Sequence, residues 1–312
     1  MHATDNSPRQ TLVGSAFIVL GAIAFSSKAI LIKLAYADAT GVDAITLMTL
    51  RMLMALPFFL TVALSTRAPK TASHGVGDWI ALALLGVMGY YLASFLDFKG
   101  LEHISAGLER LILFLYPTIV VLLTALLYRR PITKPQVLAL LLSYAGILLV
   151  YGSASKTAES PDTALGAALV SGSAVVYALY LTGSGHYIPR FGSRQFTAYT
   201  MTIACVVTIA HFLVSKPIAQ LAVSTRVLGL ALALALISTV APAFLMNAGI
   251  RRIGADHASI VGTVGPVSTL VLAYVVLGET LGTAQIIGAG MVLGGVLLAS
   301  VAKRATKPQG NR

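Results

Sequence analysis

Five ionisable side chains lie inside long apolar stretches of this chain: Lys28, Arg51, Asp97, Glu109 and Arg110. A charged side chain at the centre of a bilayer costs about 2.5–3.5 kcal/mol on insertion scales, whereas one leucine or isoleucine recovers only about 0.3–0.6 kcal/mol. Such residues are therefore kept where they face protein, water or a substrate. The chemistry they can perform is the binding of small charged molecules and the transfer of protons.

The composition places these side chains in a membrane protein. The chain has 312 residues, of which 57% are hydrophobic and 11% charged, and its mean hydropathy is +0.85. Soluble domains carry about 25% charged residues. The net charge of +11 comes from basic residues scattered between apolar runs, so nucleic acid is not an expected partner. The single cysteine, Cys205, excludes a disulfide framework, and neither a metal nor a cofactor is expected.

Ten segments have the length and apolarity that a helix needs to span a bilayer, about 20 residues. Because they are continuously apolar and do not alternate, an outer-membrane barrel is excluded. The sequence therefore predicts an all-α integral membrane protein with ten transmembrane helices. The predicted spans are 11–36, 44–65, 76–98, 103–128, 133–152, 164–188, 194–215, 225–249, 254–277 and 283–302.

Lysine and arginine between these spans fall mostly on one side. Loops rich in these residues stay in the cytoplasm, which predicts a multi-pass protein of the cell (inner) membrane with both termini cytoplasmic. We call the opposite end the predicted outer end. The basic side holds Arg9, Arg67, Lys70, Arg129, Arg130, Lys134, Arg190, Arg194, Arg251, Arg252, Lys303, Arg304, Lys307 and Arg312, against Lys99, Lys156, Lys216 and Arg226 on the other.

The chain also contains an internal repeat. A shift of 149 residues places Phe95-Leu96 on Phe244-Leu245, Pro117 on Pro266 and Gly146 on Gly295, without a gap. We therefore divide the chain into two five-helix halves, residues 1–152 and 153–312. Because five is odd, the second half must be inverted relative to the first. Inverted repeats are typical of transporters that bind substrate between the halves and work by alternating access.

Short motifs in the second half resemble a known family. Gly254-Ala255-Asp256-His257-Ala258, Gly265-Pro266-Val267 and Leu277-Gly278-Glu279-Thr280-Leu281 are similar to the EamA-type family of the drug/metabolite transporter superfamily. The resemblance covers nearly the whole chain. It implies ten helices in two inverted repeats, a central cavity, and movement of small metabolites, often as export. One departure is Arg129-Arg130, which stands where the family has a Gly-Glu pair, whereas Glu279 matches the second-half glutamate.

At a rise of about 1.5 Å per residue, the five intramembrane charges all fall in the predicted outer half. The three basic side chains exceed Asp97 and Glu109 by one charge, which suits a carboxylate-bearing or zwitterionic substrate. Protonation of Glu109 or Asp97 could couple transport to the proton gradient. A purely structural network, with Glu109 paired to Lys28 or Arg51, stays open. Asp97 could also face outer water, and Arg51 could extend to the lipid headgroups.

Repeat-related helix faces add polar candidates to these charges. Tyr177 and Tyr180 share a face, and a shift of 152 residues places Lys28 over Tyr180. Small polar residues can equally mark close helix packing, and the Gly288–Gly295 run could serve packing within one chain or a homodimer. Pro117 and Pro266 are predicted helix kinks. The candidate substrate-binding residues are Lys28, Glu109, Arg110, Tyr177, Tyr180, Asn247, Ser259 and Thr263.

We interpret the chain as a secondary transporter of small organic metabolites, amino acids or related carboxylates, exported across the inner membrane by alternating access. One alternative is efflux of drugs or hydrophobic cations, which favours aromatic walls and an acidic site. Another is a membrane-embedded enzyme that modifies lipid, for which only Glu109 with Lys28 could serve. Because no catalytic or nucleotide-binding motif is found, an enzyme is not expected. The expected partners are a small-molecule substrate and the lipid bilayer.

Overall fold

The computed structural model describes residues 8–39, 41–65, 75–127, 132–157, 162–262, 264–280 and 282–305, apart from some side chains within the helices. These residues are mostly helical, and they contain no strand. Two π-helices, Val87–Leu92 and Leu236–Val240, and a 3-10 turn, Ile218–Leu221, interrupt the α-helices. The α-helices are α1 (Pro8–Tyr36), α2 (Ala44–Ser65), α3 (Val76–Gly86), α4 (Ala93–Leu101), α5 (Ala106–Leu113), α6 (Tyr116–Leu127), α7 (Lys134–Thr157), α8 (Thr163–Phe191), α9 (Ser193–Ser215), α10 (Thr225–Ala235), α11 (Ala241–Val261), α12 (Val264–Leu277) and α13 (Thr283–Ala305).

Seven helical stretches in the described part of the chain are long and apolar enough to cross a membrane. Three shorter apolar helices, Lys134–Val150, Val264–Leu277 and Thr283–Gly295, fall at the remaining predicted spans. The all-α prediction is thus confirmed for the described residues, while the number of ten spans stays a prediction. The long stretches are Gln10–Tyr36, Ala44–Ser65, Val76–Leu101, Ala106–Leu127, Thr163–Phe191, Ser193–Ser215 and Thr225–Ile250.

Large apolar side chains cover much of the surface. Val214 is 89% exposed and Leu64 79% exposed, and many other leucine, isoleucine and valine side chains are open in the same way. Soluble monomers rarely expose apolar patches larger than a few hundred Å². This surface is suited to lipid.

The predicted kinks at Pro117 and Pro266 are breaks between helices. The chain turns at Phe114-Leu115, so that Pro117 lies in the first turn of α6, and Pro266 lies in the first turn of α12. Proline has no N–H and clashes with the carbonyl four residues earlier, whereas a first turn needs neither group. The span predicted over 103–128 is found as the apolar stretch Ala106–Leu127, but this turn divides it into two helices, so that Arg110 lies on α5 and Pro117 on α6.

The predicted connection between the spans 225–249 and 254–277 was also wrong. The helix α11 continues from Ala241 to Val261, and the chain turns at Gly262, where the N–H of Gly265 donates to the Gly262 carbonyl. Gly249 and Gly254 suggested a loop at this point. A glycine inside a helix costs only about 1 kcal/mol, which is too little to end it.

The two π-helices begin at residues related by the 149-residue shift, Val87 and Leu236. The first packs on α8 and the second on α1. Gly89 of the first π-helix lies directly against the Tyr180 ring, and Ser238 of the second lies 3.0 Å, oxygen to oxygen, from Ser27. The same local distortion thus recurs at equivalent places, as a repeat would give, while the division at residue 152 stays a prediction.

Helices from the two predicted halves pack on each other throughout, with α1 on α11 and α12, α2 on α9, α4 on α8 and α7 on α13. The glycine run of α13 packs on α7 within the same chain. A Cβ on Gly288 would lie 2.6 Å from the Gly146 carbonyl oxygen, so only glycine permits this approach. The close packing predicted for this run therefore needs no second chain, and a homodimer stays a prediction.

Candidate functional site

Three of the predicted charges form one buried cluster, which we call the acid–lysine triad: Lys28, Asp97 and Glu109. The Lys28 Nζ lies 2.6 Å from Asp97 Oδ2 and 3.6 Å from Glu109 Oε1. Lys28 is 7% exposed, Asp97 1% and Glu109 0%. The helices α1, α4 and α5 each supply one member. Asp97 therefore does not face outer water, and the expected pairing of Glu109 with Lys28 is present as a weaker contact beside the shorter Lys28–Asp97 pair.

One lysine serves two carboxylates in this triad. Asp97 Oδ1 and both carboxylate oxygens of Glu109 are buried without a hydrogen-bond donor. A buried acceptor left without a partner costs about 1–3 kcal/mol, and more when it is charged. A proton on Glu109, or a cationic group from a substrate, would supply the missing donor.

The remaining cation of the site, Arg110, lies at the boundary with α12. Its Nη2 is 3.5 Å from Ser26 Oγ, and Ser26 in turn donates to the Gly265 carbonyl at 2.7 Å. A Cβ on Gly265 would lie 3.1 Å from Arg110 Nη2, so this glycine makes room for the guanidinium. No carboxylate forms a salt bridge with Arg110 among the described residues, and its Nε is buried without an acceptor. Arg110 is thus available to a carboxylate.

Phe25 connects the triad to Arg110. The Lys28 Nζ lies 5.4 Å from the centre of the Phe25 ring, and the Arg110 Cζ lies 5.0 Å from it. Both distances are within the range of cation–π attraction, about 6 Å. One aromatic ring therefore holds two like charges near each other.

Phe25 is exposed although it lies on the buried face of α1. Phe25 lies four residues after Gly21 and seven after Ile18, so the three share one face of α1. Gly21 and Ile18 are buried, and the outward face of α1 is marked instead by the exposed Leu20 and Ile23. Yet Phe25 itself is 36% exposed. We infer that its ring borders a cavity between the helices.

Arg51 is separate from this arrangement of ion pairs. It is 4% exposed, and its Cζ lies 4.7 Å from the centre of the Phe98 ring. Because its guanidinium lies on the face of this buried ring, Arg51 does not extend to the lipid headgroups. Phe98 directly follows Asp97, so Arg51 contributes positive charge beside the triad without a salt bridge to it.

A row of tyrosines continues from Arg110. The ring centre of Tyr177 lies 5.1 Å from that of Tyr116 and 5.8 Å from that of Tyr180. The Tyr180 hydroxyl donates to the Tyr90 hydroxyl at 3.1 Å, and Tyr180 is only 5% exposed. Tyr180 is therefore closely packed and Tyr177 half-buried, and their roles in substrate binding stay predictions. Tyr90 and Tyr116 carried no periodic signal in the sequence and were missed.

Three predicted binding residues lie outside what the structure describes: Asn247, Ser259 and Thr263. The backbones of Asn247 and Ser259 belong to α11, but their side chains are not described, and Thr263 is not described at all. Their roles stay predictions. Within the described residues, no group of three or more His, Cys, Asp and Glu side chains is arranged to hold a metal ion.

Glu279 is a residue whose role the sequence did not reveal. Its Oε1 accepts the N–H of Ala106 at 2.8 Å, and its Oε2 accepts the N–H of Gly107 at 3.0 Å. The carboxylate thus lies on the first turn of α5, the helix that carries Glu109 and Arg110. Sequence position alone put Glu279 in an outer loop, where a solvent-exposed charge is the ordinary interpretation.

Comparison with known proteins adds a family match. The model of the EamA-like transporter family matches residues 12–152 and 164–301. The chain is 34% identical over 299 residues to YcbK of Bacillus subtilis (strain 168), described as an uncharacterized transporter, with 94% of each chain covered. It is 24% identical over 247 residues to the protein PecM of Dickeya dadantii (strain 3937), covering 79% of this chain and 80% of PecM.

A protein of known crystal structure has a similar fold. The TM-score is 0.63 at 18% sequence identity, and the match covers 96% of this chain and 99% of the other. At this identity the likeness concerns the fold alone.

Proposed function

The chain belongs to the EamA-like transporter family and is a membrane transporter, and from this premise we propose that it moves small zwitterionic metabolites, amino acids or related carboxylates, by alternating access. Direction and membrane follow the sequence prediction: export across the inner membrane, with both termini cytoplasmic.

The observation that carries this proposal is that two adjacent buried residues of opposite charge each lack a partner. Glu109 has both carboxylate oxygens without a donor, and Arg110 has no carboxylate partner among the described residues. An α-amino acid carries an ammonium and a carboxylate on one carbon. Its ammonium would supply the donor that Glu109 lacks, and its carboxylate would bind Arg110 beside Ser26. Charge-assisted hydrogen bonds of this kind are roughly twice as strong as neutral ones.

Glu109 is also the proposed proton carrier. Asp97 is held as the carboxylate by the close Lys28 ammonium, whereas Glu109 is farther from it. When the substrate leaves, the Glu109 carboxylate loses its donor in a buried site, and a proton is the smallest replacement. Proton binding and substrate binding thus alternate at one side chain, which couples the two fluxes.

The second candidate is efflux of hydrophobic cations, and one observation favours it. Phe25, Tyr116 and Tyr177 place aromatic rings around the charged residues, as the aromatic walls of such a site would require. Against it stand Arg110 and Arg51, two buried cations that would repel a cationic solute. We therefore rank it second.

Reconstituted protein tests the proposal with three matched solutes. Proteoliposomes under an imposed proton gradient are given a labelled neutral amino acid, its analogue without the amine, and its analogue without the carboxylate. We expect the amino acid to be transported at least about tenfold faster than either analogue, because each analogue leaves one buried charge unpaired. Preferred transport of the amine would favour the second candidate, and lipid turnover without solute flux would favour the enzyme.

A further inference from the structure

Glu279 lies in the connection that follows α12, in the second half of the chain, yet its carboxylate binds the first half. It accepts the N–H groups of Ala106 and Gly107, one with each oxygen. The first N–H groups of a helix have no partner within the helix, and a carboxylate there is further favoured by the helix dipole. These two bonds therefore form a specific, charge-assisted contact between elements far apart in sequence.

The local backbone is shaped for this contact. Gly278 has a φ of +68°, a left-handed conformation that glycine adopts without strain, and the N–H of Glu279 donates to the Ala273 carbonyl at 3.1 Å. On the other side, a Cβ on Gly107 would lie 3.3 Å from Glu279 Oε2 and 3.2 Å from Leu270 Cδ2. Two glycines thus bring the carboxylate and the start of α5 together.

Two neighbouring sets of hydrogen bonds stay within the first half. Lys33 of α1 donates to the carbonyls of Leu101 and Ile104, at the end of α4 and just after it. Glu102 accepts the N–H of Ala44 at the start of α2, at 2.9 Å. These bonds tie the α4–α5 connection to α1 and α2, so these elements would move together. Glu279 instead connects the start of α5 to the end of α12, in addition to the direct packing of α1 on α12.

The helix held by Glu279 carries the proposed binding site. Glu109 lies three residues after Ala106 on α5, and Arg110 contacts α12 directly at Gly265. The start of α5 is thus fixed to the second half at Glu279, one turn away from the two side chains proposed to bind substrate.

We propose that Glu279 is a positioning residue that fixes α5 against α12, and that its two bonds to Ala106 and Gly107 must break for the site to open at this end of the bundle. The inference rests on the alternating access proposed above. It does not depend on the identity of the solute.

The test compares Glu279→Gln and Glu279→Ala with the matched control Glu102→Gln. The control also removes a carboxylate from a helix N-terminus at the same end of the bundle, but from a contact within one half. Each change is made in a Cys205→Ser background with Ala106→Cys, and labelling by a membrane-impermeant maleimide is timed from each side of the membrane. Ala106 is 0% exposed, so its cysteine reports opening between α5 and α12.

We expect the labelling rate to rise by about a hundredfold or more in Glu279→Ala, because both charge-assisted hydrogen bonds are lost and each is worth about tenfold or more. Glu279→Gln, which keeps one accepting oxygen, should give a smaller rise, and Glu102→Gln should label like the parent. The increase should occur from one side only, and the KM of solute exchange should rise in the two Glu279 variants but not in the control. If Glu279→Ala does not insert, Glu279→Gln carries the test because its amide is isosteric.

Equal labelling rates in the parent and the Glu279 variants would overturn the inference. An equal rise in the labelling rate of Glu102→Gln would also overturn it, because loss of any carboxylate at this end would then loosen the bundle. Labelling needs no substrate. If labelling changes as expected while amino acids are not transported, the proposed substrate is wrong and the role of Glu279 stands.

Discussion

Lys28 and Asp97 form a buried ion pair, with Nζ 2.6 Å from Oδ2 and side chains that are only 9% and 2% exposed. The pair joins α1 to α4, and Glu109 of α5 lies beside it. Its position explains why two carboxylates that look alike in the sequence differ in role: Asp97 is held by the lysine, and Glu109 is left for a proton or a substrate.

Removal of the Lys28 ammonium should destabilise the protein, because it leaves Asp97 buried without a partner. We expect Lys28→Met to destabilise the protein by about 3–5 kcal/mol, the usual cost of breaking a buried ion pair from one side. The control Lys99→Met breaks an i,i+3 pair with Glu102 in which the lysine is 43% exposed, and should cost about 0–1 kcal/mol. Thermal unfolding in detergent measures both.

The double variant Lys28→Met/Asp97→Asn completes this experiment. Because no unpaired aspartate remains, it should be more stable than Lys28→Met alone. Independent, additive losses from the two substitutions would contradict the ion pair.

Gly265 should matter for substrate affinity. An added methyl group would lie 3.1 Å from Arg110 Nη2 and 3.4 Å from Ser26 Oγ, so Gly265→Ala should displace the guanidinium and raise the KM for a carboxylate-bearing solute by about tenfold. In α13, Gly290 has no atom within 4 Å of the position of an added Cβ, which makes Gly290→Ala the matched control. Solute exchange kinetics give the KM, and equal values for the two variants would refute the role of Arg110.

The short connection between α1 and α2 should give the protein a pH-dependent stability. Partial burial alone would raise the pKa of Asp43, but hydrogen bonds from Lys216, at 2.7 Å, and from the Thr46 N–H, at 3.0 Å, hold that pKa below its ordinary value. A lowered folded-state pKa stabilises the fold above the unfolded-state pKa of about 3.9, and the gain is lost as the pH falls through the folded-state pKa.

Lys216→Met should therefore lower the unfolding temperature at neutral pH. Its difference from the wild type should shrink as the medium is acidified below a pH of about 4. Unfolding temperatures measured across this range check the expectation. A difference that stays constant with pH would show that Lys216 stabilises the fold by packing alone.

Much of the charged site follows from the sequence because buried charges must meet partners. Lys28, Asp97 and Glu109 were expected to share one region on depth alone, and the structure brings them within contact. The repeat pattern likewise related Pro117 to Pro266, and both lie in the first turn of a new helix. A proline does not determine which of the preceding residues forms the break, because any of them can adopt the turn conformation.

Other parts of the site depend on packing that no local pattern encodes. Phe25 reads as one more apolar residue in α1, and only the arrangement of helices places two cations over its ring and leaves that ring 36% exposed. Glu279 likewise reads as a loop charge, because the start of α5 that it binds is 172 and 173 positions away in the chain.

The central claim is that Glu109 exchanges a proton for the substrate, and proton flux measured during transport tests it most directly. Proteoliposomes that contain a trapped pH-sensitive dye are given a labelled amino acid on one side, and proton and solute movements are recorded together. We predict that the wild type moves protons in the direction opposite to the amino acid, and that Glu109→Gln still exchanges amino acid across the membrane but moves no protons. A Glu109→Gln protein that moves protons and amino acid in the wild-type ratio would contradict the account.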